Sequence, residues 1–117
     1  MTTPTTDHEK TLAFAKACGI EIFQDGGAGI FWKREPDPIL GKVRFRPDCD
    51  ANDALEGLRA FCDQRDKMAV LRLLPGGSEC IISARGKTEH SVLHSGSNTE
   101  CRAIVEAVLA ASAGEKG

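Results

Sequence analysis

The residue types best able to do chemistry cluster between Phe31 and Arg46, where Lys33, Arg34, Lys42, Arg44 and Arg46 are interleaved with Phe31, Trp32 and Phe45 against only Glu35 and Asp37. Cationic side chains track phosphates and aromatic faces stack bases, so Trp32, Lys33, Arg34, Lys42, Arg44 and Arg46 form a candidate surface for single-stranded nucleic acid. A competing reading makes Trp32 and Phe45 core anchors beneath a solvated cationic face. Strand alternation favours it, because Lys42, Arg44 and Arg46 point one way and Val43 and Phe45 the other.

Next comes an acidic run, Asp48, Asp50, Asp53, Glu56, Asp63 and Asp66, opposed by Arg59 and Arg65. Carboxylates in this number attract a divalent cation or a basic partner, but near a helix start they complement its dipole, and elsewhere they serve solubility. Set beside the basic strand, the run makes the chain dipolar, which helps orient a partner or a second copy of the same chain in a homodimer.

Cys49 precedes a predicted helix N-terminus, where a thiol pKa falls, yet Asp48 and Asp50 oppose that effect. None of His8, His90 and His94 is near it in sequence to serve as a base. His90 and His94 are four apart; on a strand their side chains would stand roughly 13 Å apart, too far for one metal ion. Gly26-Gly27-Ala28-Gly29 leads into a strand and not a helix N-terminus, so it reads as a turn and not a phosphate cradle. No catalytic, cofactor-binding or metal-ligating set is expected.

The elements that must position these residues follow from periodicity. Residues 1–5 are a polar tail. Thr6 with Glu9 fits a capping box, Leu12, Phe14, Ala15 and Cys18 mark a first helix, and Gly19 ends it. Glu21–Gln24 and Ala28–Lys33 read as strands about a turn at Asp25-Gly26-Gly27. Pro36 and Pro38 interrupt regular structure, and Lys42–Arg46 is a further strand.

Asp50 is the expected N-cap of a second helix with Ala51, Ala54, Leu55, Leu58, Phe61 and Cys62 on its buried side. Met68–Leu74 and Glu79–Arg85 form a hairpin about Pro75-Gly76-Gly77-Ser78, and Thr88–His94 is the next strand. Ser97 and Glu100 cap a last helix whose stripe is Cys101, Ile104, Val105, Val108 and Ala111, with Gly114 closing it ahead of a short tail, 114–117. Residues 6–113 therefore make one α+β domain with three helices and a mainly antiparallel sheet. The glycine pairs Gly26-Gly27 and Gly76-Gly77 do not mark a repeat, since their flanks barely match.

Size and composition agree. A chain of 117 residues, 41% apolar and 27% charged, can bury roughly two thirds of its unfolded surface as one domain without a disulfide or metal. Its net charge of -2 gives no general pull toward nucleic acid and is too mild for a DNA mimic. The five cysteines are odd in number and widely spaced, without a Cys-x-x-Cys, which fits reduced thiols in a cytosol. With no signal-peptide pattern at Met1–Thr6 and no apolar run long enough to span a bilayer, the expected place is the cytoplasm, away from membranes.

A helix, a hairpin bearing Trp32, a Pro-Asp loop before a second helix, another hairpin and a last helix reading Ala103-Ile104-Val105-Glu106-Ala107-Val108-Leu109 after Thr99 together resemble the phage ABA-sandwich domain family over roughly residues 12–111. Pro36, Pro38 and the charges around them depart from that pattern. The resemblance implies a helix layer on each side of a sheet, a three-layer α/β/α sandwich, and a phage or prophage origin. It brings no activity and no catalytic residues. The expected function is a non-enzymatic accessory protein that binds another macromolecule, above all a protein such as a host enzyme or defence complex; the alternative is single-stranded nucleic-acid binding through the basic segment.

Overall fold

A computed structural model describes residues 7–24, 29–33, 43–84, 87–95 and 99–114. Its elements run α1 (Asp7–Cys18), β1 (Ile22–Gln24), β2 (Ile30–Trp32), α2 (Ala51–Arg65), β3 (Met68–Leu74), β4 (Gly77–Ala84), β5 (Lys87–Ser95) and α3 (Thr99–Gly114). Among the described residues, three helices and two antiparallel sheets, β1-β2 and β3-β4-β5, make the expected α+β fold.

α3 is the centre of the molecule. It packs against β3, β4 and β5 and against both α1 and α2. Every residue of its predicted stripe is buried, and Ala103 and Ala107 are buried as well. Four small residues, Cys101, Ala103, Ala107 and Ala111, thus sit among Ile104, Val105 and Val108, which lets neighbours approach the helix on more than one side. A buried hydroxyl pair, Ser78 Oγ and Thr99 Oγ1 at 2.9 Å, joins the start of β4 to the first turn of α3. Lys10 and Glu106 form an ion pair between α1 and α3.

α1 ends as its sequence demands. Gly19 adopts φ +71°, its N–H donates to Lys16 O, and Ile20 N–H donates to Ala15 O at 2.9 Å, the paired bonds of a Schellman cap. Gln64 Nε2 in α2 donates to Cys18 O at 2.8 Å, so the two helix ends are joined. The capping residues Thr6 and Ser97, the turn at 25–28 and the prolines at 36 and 38 lie outside the described residues.

α2 begins at the expected cap, with Asn52 N–H donating to Asp50 Oδ1 at 2.9 Å. Its closing residue is Asp66 at φ 52°, ψ 47°, a left-handed position more often held by glycine. The buried side of α2 is turned from the predicted stripe: Asp53 and Gly57 are buried with Ala54, Leu58, Phe61 and Cys62, whereas Leu55 is 41% exposed. Packing against α1 is the reason, because the Phe14 ring occupies the space where a side chain at position 57 would otherwise stand.

The large hairpin is tighter than its sequence suggests. β4 starts at Gly77 and pairs with Leu74, leaving Pro75-Gly76 as the loop. Gly76 at φ +74° after a proline is the type II combination. One face of this sheet, through Ser78, Cys80 and Ile82, is buried toward the helices, with Ala69, Leu71 and Val92 partly buried beside them. On the other face Met68, Val70 and Leu93 are exposed. Among the described residues the helices that reach this sheet are α2 and α3, on the buried side, so the second helix layer implied by the resemblance is not found there.

A basic cleft and an open sheet as candidate functional sites

Lys42–Arg46 was expected as a strand. Among the described residues it is a short antiparallel addition to β2: Phe31 bridges Arg44, Trp32 N–H donates to Val43 O and Phe45 N–H to Ile30 O, both at 2.9 Å. Its alternation is as read from sequence. Phe45 is buried, and Arg44 and Arg46 are exposed. Trp32 does not present a face for base stacking: it is 6% exposed, and its ring packs edge-on to Phe45 with centroids 4.8 Å apart. Phe45 in turn stacks at 6.2 Å on Phe14, so both rings belong to the core.

On the opposite side of β2 the Arg44 guanidinium lies 5.8 Å from the centroid of Phe31, whose ring stacks on Phe23. Lys33 is exposed at the end of β2, and Arg34 and Lys42 lie outside the described residues. Arg44 and Arg46 do share a cleft of about 160 Å³ with His8 from α1. Asp48 lines the same cleft, which lowers its appeal to an anion.

Asp53 was read within an acidic run whose members near the helix start complement its dipole, and the structure gives it a further role. It is 7% exposed; Trp32 Nε1 donates to its Oδ1 at 3.3 Å and Arg46 N–H to its Oδ2 at 2.8 Å. One carboxylate thereby fastens α2 to β2 and to the 43–46 segment. Burial pushes its pKa above the ordinary 3.8 and the Asp50 and Glu56 charges add to this, while the two donors pull it down. A tryptophan indole and a distant backbone amide are non-local partners, so nothing in the spacing of Asp53 signalled this role.

The thiols separate into two kinds. Cys18, Cys62, Cys80 and Cys101 are buried, and Cys49 is exposed. Burial pushes the Cys18 and Cys80 thiols up to about 12 and Cys101 to about 11, and raises Cys62, so all four are protonated near neutrality and function as small apolar core residues. A thiol-reactive chromogenic reagent near neutral pH is therefore expected to label Cys49 quickly and the other four only on unfolding. Fast labelling of more than one thiol in the folded protein would contradict this packing.

His90 and His94 lie on β5, opposite Ile82 and Ser78, as the strand reading required. Their side chains lie outside the described residues. Among the described residues no three His, Cys, Asp or Glu side chains gather as metal ligands, and no helix is long and apolar enough to cross a membrane.

The feature that sequence reading passed over is the open face of β3-β4-β5. Met68, Val70, Leu74 and Leu93 on this face, with Leu73 on the inner side of the β3 edge, are five of the six large apolar side chains exposed among the described residues, the other being Leu55. A polar seam crosses this face: Arg72 Nη1 donates to Glu79 Oε1 at 3.2 Å and Ser91 Oγ to Glu79 Oε2 at 2.8 Å, tying all three strands. The alternation in β3 hid it, because Met-Ala-Val-Leu-Arg-Leu-Leu is apolar on both faces and reads as a fully covered strand. Comparison of the chain with protein-family models, with curated proteins and with solved structures gives no match.

Proposed function

We infer that this chain is a non-enzymatic protein-binding domain that meets its partner through the open face of the β3-β4-β5 sheet. The carrying observation is the concentration of exposed Met68, Val70 and Leu93 on one sheet face, around the Arg72–Glu79–Ser91 seam. Exposed apolar side chains gathered on one sheet face about a polar seam are a usual mark of an interaction site. The seam adds register and selectivity more than affinity, since Arg72 is largely solvated and such pairs contribute little net energy. An accessory role against a host enzyme or defence complex would use a surface of this type.

Affinity capture compared between the native chain and a Val70→Glu/Leu93→Glu variant tests this. A partner held by the first and lost by the second, with unchanged circular dichroism, is the expected result. Equal capture by both would remove the open face from consideration. The cleft of His8, Arg44 and Arg46 supports a second reading, a phosphate-bearing ligand such as single-stranded nucleic acid. Because Trp32 is buried, that reading is tested by oligonucleotide mobility at low salt with Arg44→Ala/Arg46→Ala as the control.

A further inference from the structure

The two edges of the β3-β4-β5 sheet are built differently. β5 has a register shift against β4 between Ile82 and Ser83, a feature that protects an edge from pairing. β3 has none. Its seven residues pair with β4 in unbroken register, and Arg72 is its single charge. Among the described residues its outer side has no neighbouring strand, and Leu73 there is 74% exposed.

We propose that β3 is a self-association edge, pairing antiparallel with β3 of a second copy of this chain about a two-fold axis at Leu71 to give one continuous six-stranded sheet. The occupant follows from self-complementarity. A two-fold antiparallel pair that keeps inner faces together must match residues of like parity. Centring on Leu71 pairs all seven residues, Met68 with Leu74 and Ala69 with Leu73 of the other copy. It also sets Arg72 opposite Val70. Centring one residue later would place Arg72 against Arg72, which like-charge repulsion disfavours.

The same register has a second, independent fit. Ala69 borders a groove of about 260 Å³ between β3 and α2, lined also by the exposed Leu55 and by Leu58 and Cys62. Leu73 of the second copy, opposite Ala69 on the inner face, would enter that groove, so the smallest side chain of β3 meets one of its most exposed leucines. Arg59 and Asp63 on the groove rim carry opposite charges that a two-fold can bring into pairs. A seven-residue edge is about 24 Å long.

This goes beyond the binding role proposed above, which uses the sheet face and not its edge. Sedimentation equilibrium on the native chain is expected to give twice the 12.5 kDa chain mass. Leu73→Lys, at a position already exposed, should weaken the pair by about tenfold or more, whereas Leu93→Glu on the opposite edge should leave it intact. Amide hydrogen exchange should slow in β3, and not in β5, as concentration rises. A monomer at all concentrations, a dimer indifferent to Leu73→Lys, or one lost equally in Leu93→Glu would overturn the proposal. A monomeric native chain that still captures a partner through Val70 and Leu93 would overturn self-pairing and leave the binding role standing.

Discussion

Replacing Gly57 with alanine is expected to destabilise the protein by about 1–2 kcal/mol, although the same change inside an exposed helix normally stabilises by about 1 kcal/mol. A Cβ at this position would stand 2.4 and 2.5 Å from Phe14 Cε2 and Cζ and 3.3 Å from Cys18 Sγ. Phe14 is fully buried and stacked on Phe45, so its ring has no empty space to swing into. The α1–α2 contact must open instead. Placing Gly57→Ala in a Phe14→Leu background should recover much of the loss, because the two positions share one volume and their effects cannot add. Urea midpoints of the two single variants and the double give that coupling directly. A stabilised Gly57→Ala would mean that α2 does not lie this close to α1.

Asp53→Ala is expected to cost about 2–4 kcal/mol, since it removes the acceptor of both the Trp32 indole and the Arg46 amide in a site closed to water. Asp53→Asn keeps one carbonyl acceptor and should cost less. The two also differ in pH dependence. Burial raises the folded-state pKa of Asp53 above 3.8, so the folded protein holds this proton more tightly than the unfolded chain. The stabilisation linked to that proton is fully present below the unfolded pKa and is lost as pH rises through the folded one. A carboxamide in place of the Asp53 carboxyl cannot titrate, so the advantage of the native chain over Asp53→Asn shrinks as pH rises from 3.8 and then levels off. Denaturant melts of both proteins across that range measure it. An advantage that grew with pH would show that the two donors outweigh desolvation.

How far each element could be read depended on whether its cause was local. The stripe of α3 was legible because apolar residues at helical spacing mark a side to be buried, although Ala103 and Ala107, buried against further neighbours, lay outside it. The Asp50 cap and the Gly19 terminus were legible for the same reason, as each is settled by bonds within five residues. α2 was only half legible. Leu55 fits the helical spacing as well as Gly57 does, and nothing near either residue reveals that a phenyl ring from α1 comes to position 57. Trp32 had two readings from its neighbours, stacking platform or core anchor, and the carboxylate that settles its place is 21 residues away.

The amino-acid order alone determined the α+β class, the three helices, the antiparallel strand pairs and the inward thiols of α2 and α3, because periodicity, turn residues and caps act over a few bonds. Which side of α2 is buried, the use of Asp53 as a clasp, and the exposure of β3 on an open sheet were decided by tertiary packing. A strand apolar on both faces carries no mark of which face will be covered. That depends on how many helices are left to cover it, and in the described fold α3 and α2 lie on one side alone.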